Sequence, residues 1–436
     1  MSDRNNARTR IVITGLGAVC SVGRTTDQLW QSLTQKRSRH NTSGTDAQES
    51  GDTTTPGIAD FAGKITDFGD LPDARRKFIR KSLKLMNRET QMGVAAGQQA
   101  LSDSGAHEHY DPDQFGVCFG ADNVSIMPDD FQRGIQACTS KDGSFEMNRW
   151  GAKGIDEVAP LWILKCLPNM PACHLAIIND LRGPSNTITQ RDVSANLAIA
   201  AACRSIRAGD ANAVLVGATG TTLTAFNHIH ARMEDEVQEI DSICRPFDRR
   251  RKGSAPGEGA GAIVLEELQS AIQRNAHIYG EVLGTASASF VGADGRANCK
   301  KALTVSIRHA LNRAGRTAAE IGHIHAHGLG TWQSDAAEAQ AISDVFGDQN
   351  AQIPVVAAKS HLANTAAAAG MLELITSLLA LESGQLFPVL NYEFPDPACP
   401  VFPVVDCNTP AGQSFLNLNV FGRGLASCAA VGAYAA

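Results

Sequence analysis

Four stretches of the chain combine residue types that do chemistry. In TITQRDVSANLAIAAAC, residues 187–203, an aspartate, Asp192, stands where a polar run gives way to an alanine-rich helix. The first turn of a helix lies at the positive end of its dipole, which stabilises an anion by about 0.3–1 kcal/mol and is used elsewhere to activate thiols. Asp192 is therefore either a helix cap or the occupant of a nucleophile's place. In HIHAHGLGT, strand alternation puts His323, His325 and His327 on one face. Zinc draws its ligands from several elements and wants a thiolate or carboxylate among them. The expectation is thus core histidines, with His327 before Gly328 facing a site, and no metal. In KSHLANTAAAAGMLELI, Lys359 ends a strand, Asn364 opens a helix and Glu373 follows among small residues. A buried lysine needs a partner, and Glu373 is the one at hand. In NVFGRGLAS, Gly422 and Gly424 flank Arg423, which would let backbone N–H groups approach a ligand.

The elements that must carry these residues alternate between strand and helix. RIVITGLG is a short apolar strand with a glycine turn, FGVCFG a second, and ANAVLVGATG a third, after the alanine-rich helix. GEGAGAIVLE is a glycine turn into another strand. The second half repeats the pattern with helix VSIRHALNRAG, strand HIHAHG, helix SDAAEAQAISDVF, strand IPVVAAKS and a small-residue helix over 366–381. A helical region is expected over 161–177, and a polar surface excursion over 40–57. The pattern is that of an α/β layered fold with a buried sheet and two similar halves.

Composition narrows the function classes. The net charge of -6 over 436 residues speaks against nucleic acid as the main partner. The eleven cysteines fall singly, without a CxxC pair, as expected of reduced core thiols. The N-terminal apolar run is too short for a signal peptide, and no run is read as spanning a membrane, so a cytoplasmic protein is expected.

Taken in order, RIVITGLGA, LRGPSNTI, ANAVLVGAT, RPFD, GEGAGAIVLE, HAHGLGT, AAKS and the FG before Arg423 resemble the β-ketoacyl-acyl-carrier-protein synthases, the condensing enzymes of the thiolase fold, from about residue 10 to the C-terminus. The resemblance implies a five-layered αβαβα subunit in two halves, residues 1–262 and 263–436, forming one compact unit. It also implies a dimer, either a homodimer or a heterodimer with an active ketosynthase. No cofactor is bound; the substrate is an acyl chain on the phosphopantetheine of an acyl carrier protein.

Members of this family use a cysteine at a helix mouth and two histidines. Matched without gaps, the cysteine position falls on Asp192, the first histidine on His327 and the second on Asn364, with Lys359 and Glu373 as the supporting pair. Of the two threonines that bind pantetheine only Thr331 remains, since the first matches Leu329. The gating loop becomes Phe421, Gly422, Arg423, Gly424 and Leu425. A carboxylate attacking a thioester would give a mixed anhydride, so Asp192 is a poor acyl acceptor. The resemblance then points to a chain-length-factor-like partner of an active ketosynthase in fatty acid or polyketide biosynthesis. The alternative is a carrier-protein-dependent synthase, acyltransferase or malonyl decarboxylase with unusual residues. Asp192 and Arg423 are expected to form a buried bidentate ion pair, whose disruption would cost about 3–5 kcal/mol. The basic segment RRKFIRKSLK is either a solvated helix face or, through Arg80, Lys81 and Lys84, the docking surface of the acidic carrier.

Overall fold

The computed structural model describes residues 9–38, 57–122, 128–227, 229, 243–347 and 353–434. The excursion expected over 40–57 lies, apart from Gly57, outside the described residues. The strands are β1 Ile11–Val19, β2 Phe115–Gly120, β3 Ser185–Ile188, β4 Ala213–Thr221, β5 Glu258–Glu267, β6 Gly280–Ser289, β7 His323–His325, β8 Pro354–Val356, β9 Phe402–Pro403, β10 Ser414–Phe421 and β11 Leu425–Gly432. Their hydrogen-bonded order is β3-β2-β4-β5-β1-β6-β11-β10-β7-β8-β9.

That order contains the repeat. The first half reads β3-β2-β4-β5-β1; the second, read inward from the other end, is β8-β7-β10-β11-β6, with β9 added outside. The pair types also match. β2 is parallel to β3 and β4, as β7 is to β8 and β10, whereas β4–β5 and β5–β1 are antiparallel, as are β10–β11 and β11–β6. The two half-sheets pair through Val12–Glu281 and Ile13–Gly280 of β1 and β6. β5 runs unbroken through residue 262, so the division expected there falls inside a strand; the chain passes from one half to the other between β5 and β6.

The labelled helices are α1 Asp73–Ser82, α2 Arg88–Ser104, α3 Met170–Asn179, α4 Ser194–Ala208, α5 Cys299–Ala314, α6 Trp332–Phe346 and α7 Ala369–Ser383. α2 covers the outer face of the first half-sheet, α5 and α6 that of the second, and α4 and α7 lie between, touching strands of both halves. This gives the five layers. β1 is buried along its whole length, as an apolar strand covered on both faces must be. Its glycines set how closely α2 approaches: a Cβ on Gly17 would stand 2.1 Å from Ala96 O.

Two expected continuities are broken for local reasons. The basic helix α1 stops before α2, because Asn87 caps α2 by accepting from Thr90 N at 2.8 Å. The helical region over 161–177 is split into Trp162–Cys166 and α3, with Pro168 between them and Pro171 in the first turn of α3. One stretch, Ala366–Ser383, is apolar and long enough to cross a bilayer, contrary to the sequence expectation. It is the core helix α7 with its preceding turn, 78% buried inside the protein.

Candidate functional site

The mouth of α4 is built from a 3-10 turn, Arg191–Val193, that packs against β10 and the turn Ala366–Ala368. Arg191 has φ +54, a left-handed conformation uncommon for a non-glycine residue. Its guanidinium Nε lies 3.4 Å from Asp122 Oδ1, and its cation stands over the Phe421 ring at 5.8 Å. Asp192 is half-buried, and its buried Oδ1 has no hydrogen-bond partner among the described residues.

The expected Asp192–Arg423 pair is not formed. Arg423 is exposed in the turn joining β10 to β11, where Gly424 N donates to Phe421 O at 3.0 Å, and no ion pair joins it to Asp192 among the described residues. That turn needs glycine at 424: φ is +83, and a Cβ would stand 2.2 Å from Phe290 O. Asp192→Ala should accordingly cost no stability, and removing an unsatisfied buried oxygen should return about 1 kcal/mol. Urea unfolding checks this; a loss of about 3 kcal/mol or more would restore the ion pair.

The expected Lys359–Glu373 pair is present. Lys359 opens a short helix, Lys359–Leu362, just beyond β8 rather than ending the strand. Its ammonium, 1% exposed, donates to Glu373 Oε1, to His327 O at 2.8 Å and to His327 Nδ1 at 3.1 Å. Because Nδ1 accepts, the His327 hydrogen is on Nε2. Burial, and then the Lys359 charge, hold His327 well below its usual value, so the ring is neutral. Glu373 is pushed up by burial, against the pull of Lys359, and Asp192 adds to the upward push. Two carboxylates, one ammonium and one neutral imidazole therefore share this region.

Asn364 N donates to Ala255 O at 2.8 Å, and its O accepts from Thr222 Oγ1 at 2.7 Å. The Oδ1 accepts from Ala366 N at 3.0 Å and so turns the chain into α7. Thr331 is buried, its Oγ1 without a partner among the described residues. Arg80, Lys81 and Lys84 are exposed on α1 and the turn after it, and none makes an ion pair among the described residues. His323 and His325 are core groups, both bonded to Ser377 Oγ, at 3.1 and 2.8 Å.

Sequence reasoning missed the buried amides behind Glu373. Asn419 Nδ2 donates to Glu373 Oε2 at 2.7 Å, Asn196 Nδ2 to Asn419 Oδ1 at 2.8 Å, and Asn417 Nδ2 to Asn196 Oδ1 at 3.1 Å. This chain ties α4, β10 and α7 together beneath the site. Its signal was the alternation LNLNV, with asparagines at strand spacing in an apolar run. Also missed was Glu338, which accepts from His327 N at 2.7 Å and Gly328 N at 2.9 Å. Arg251 went unread as well. It is wholly buried, and it holds Thr331 O at 3.1 Å and Asp396 Oδ2 at 2.6 Å.

A two-fold repeated β3-β2-β4-β5-β1 sheet around two core helices, with a helix mouth, a histidine and a lysine–glutamate pair converging at strand ends, defines a thiolase-like condensing-enzyme fold. The chain belongs to the β-ketoacyl synthase family: the family's N-terminal domain matches residues 8–271 and its C-terminal domain residues 279–393. It is 29% identical to 3-oxoacyl-[acyl-carrier-protein] synthase 2 of Synechocystis sp. (strain ATCC 27184 / PCC 6803 / Kazusa), over 91% of each chain. It is 32% identical to the tetracenomycin polyketide synthase ketoacyl synthase alpha subunit of Streptomyces glaucescens, over 90% of each. Among solved structures, the ishigamide ketosynthase/chain length factor superposes with TM-score 0.80 at 27% identity, covering 98% of this chain and 100% of that one.

Proposed function

We propose that this chain is a non-condensing, chain-length-factor-like partner of an active ketosynthase in fatty acid or polyketide biosynthesis. One observation carries the proposal: the side chain at the mouth of α4 is a carboxylate, Asp192, beside a second buried carboxylate, Glu373. An acyl group passed from a thioester to Asp192 would sit in a mixed anhydride, far uphill of the starting thioester. The second basic group is also lacking, since Asn364 is an amide whose oxygen is committed to Ala366 N. The Lys359–Glu373–Asn419 shell holds the fold of the site without supplying a nucleophile. The neutral His327, with its Nε2 hydrogen, is what a malonyl decarboxylase would use to steady an enolate, and this is the second reading the test must separate.

Intact-mass measurement after incubation with acyl- and malonyl-acyl carrier protein decides between them, with the chain alone and with a cysteine-bearing ketosynthase from the same genome. The expected result is no adduct and no turnover alone, together with a stable complex whose products shift in length when this chain is present. An acyl adduct, or malonyl turnover without the second protein, would overturn the proposal.

On this reading the carrier docks on α1, where the exposed Arg80, Lys81 and Lys84 would steer an acidic protein. Reversing Arg80 and Lys84 to glutamate should weaken carrier binding to the complex by roughly tenfold at low salt, with the difference shrinking as salt rises. An unchanged affinity by fluorescence anisotropy removes α1 from the docking surface.

A further inference from the structure

Little fixes α1 to the body of the protein. Of its ten residues only Ile79 and Ser82 are buried. Ile79 belongs to the apolar cluster of Phe68, Leu71 and Met86, whereas Lys77, Phe78, Arg80 and Lys81 are exposed. The Arg76 bonds stay local, to Leu71 O at 3.0 Å and Asp73 Oδ1 at 3.4 Å. Among the described residues one side-chain hydrogen bond leaves the helix for a distant element. Arg75 Nη1 donates to His107 Nε2 at 3.1 Å, in the 3-10 turn Ala106–Glu108 that follows α2. A guanidinium stays protonated and only donates, so the imidazole accepts through the lone pair that the neutral ring alone possesses. The hydrogen of that ring is then on the buried Nδ1.

We infer that this bond is a pH-operated latch on α1, closed while His107 is neutral and opened when a proton takes the Nε2 lone pair and sets two cations against each other. An unlatched histidine protonates near its ordinary value of about 6.5. The latched ring cannot take that proton without giving up Arg75, so each pH unit below that value weakens the closed state by up to about tenfold. Burial, and then Arg75, lower His107 from its ordinary value, which has the same sign. The charged groups around the ring are few. Arg75 faces it from α1, Glu108 and His109 flank it on its own turn, and of these Glu108 alone favours the charged ring. Asp103, in the last turn of α2, is engaged by Leu16 N and the Tyr279 hydroxyl, and burial lowers His174 on α3. Opening leaves Ile79 as the anchor and loosens the helix that carries Arg80 and Lys81, with Lys84 just after it. This rests on the proposed function only for what docks on α1.

The test is hydrogen exchange of the intact chain at pH 8.0 and pH 5.5, read by mass spectrometry on peptides covering α1. Variants are compared at the same pH, so that intrinsic exchange rates cancel. At pH 8.0 Arg75→Ala should exchange about tenfold faster than wild type, the size of one hydrogen bond. At pH 5.5 the two should exchange alike. His107→Gln keeps an acceptor that does not titrate, so at pH 5.5 it should protect α1 about tenfold better than wild type. Equal exchange of wild type and Arg75→Ala at pH 8.0, or an undiminished difference at pH 5.5, would overturn the inference. If the glutamine matches Arg75→Ala at pH 8.0 it does not reach Arg75, and the alanine comparison decides alone. Carrier affinity of the complex with the ketosynthase is measured separately by fluorescence anisotropy, wild type against His107→Gln. An exchange switch without a change in affinity removes α1 from the docking surface and leaves the latch. A change in affinity without an exchange switch sinks the latch alone.

Discussion

Lys359→Met should lower the free energy of unfolding by about 3–5 kcal/mol, because it strands a buried carboxylate. Lys359 and Glu373 are each 1% exposed, and among the described residues the ammonium is the only cation bonded to Glu373. Without it, Glu373 keeps one neutral donor, Asn419 Nδ2 at 2.7 Å, and the carboxylate of Asp192 nearby. His327 loses the donor to Nδ1 and to its carbonyl at the same time. The loss should depend on pH in a definite direction. Glu373 is already raised by burial, and the substitution raises it further. A carboxyl raised in the folded state destabilises above its unfolded value, and the penalty grows as pH rises toward the folded one. The cost should therefore be larger at pH 8 than at pH 5. Adding Glu373→Gln removes the stranded charge while leaving Asn419 an acceptor, so the double variant should recover at least half the loss. Urea midpoints at the two pH values, with an unchanged m, are the measurement. A single-variant loss below about 1 kcal/mol would show that the pair contributes little.

What was legible in the sequence follows from what each segment buries. β1, β4 and β5 are covered on both faces and read as apolar runs. β6, GEVLGTASAS, went unread: its glycines, alanines and serines have little strand propensity, and its pairing with β11 supplies the order instead. β10 and β11 were read as a glycine loop around Arg423, although eight residue pairs join them, because the hairpin turn carries the same glycines a ligand loop would. The site divides in the same way. Lys359, Glu373 and His327 could be matched by motif because each stands at a fixed offset from a glycine or a strand end. The ion pair drawn between Asp192 and Arg423 failed because linear position does not give burial, and the β10–β11 turn leaves Arg423 exposed. Asn196, Asn417 and Asn419 come from two distant segments and meet only when α4 is laid across β10. The repeat was suggested by alternation, but its proof, the same strand order in each half, exists only in the pairing.

Asp192→Cys should turn an inert position into one that accepts an acyl group. A thiol there would stand in the first turn before α4, where the helix dipole favours the thiolate. Roughly tenfold more thiolate than a free cysteine at pH 7 is the expected gain. The native thiols form a quiet background: none of the eleven is exposed, and burial pushes Cys118 and Cys399 each up to about 12. One equivalent of iodoacetamide should therefore label residue 192 in the variant and leave the wild type largely unmodified. Acyl-carrier protein should then transfer one acyl group to the variant and none to the wild type, read as a single mass increment. Condensation asks for more, because Asn364 neither carries a proton to move nor has a free oxygen to offer. Only Asp192→Cys combined with Asn364→His should extend the acyl group. If the variant thiol is alkylated but never acylated, the obstacle is not the nucleophile. It would then be the Arg191–Asp122 pair, at 3.4 Å, immediately before residue 192. In that case Arg191→Ala in the Asp192→Cys background should restore acyl transfer, and the silence of this site would be built from an obstruction as well as a missing thiol.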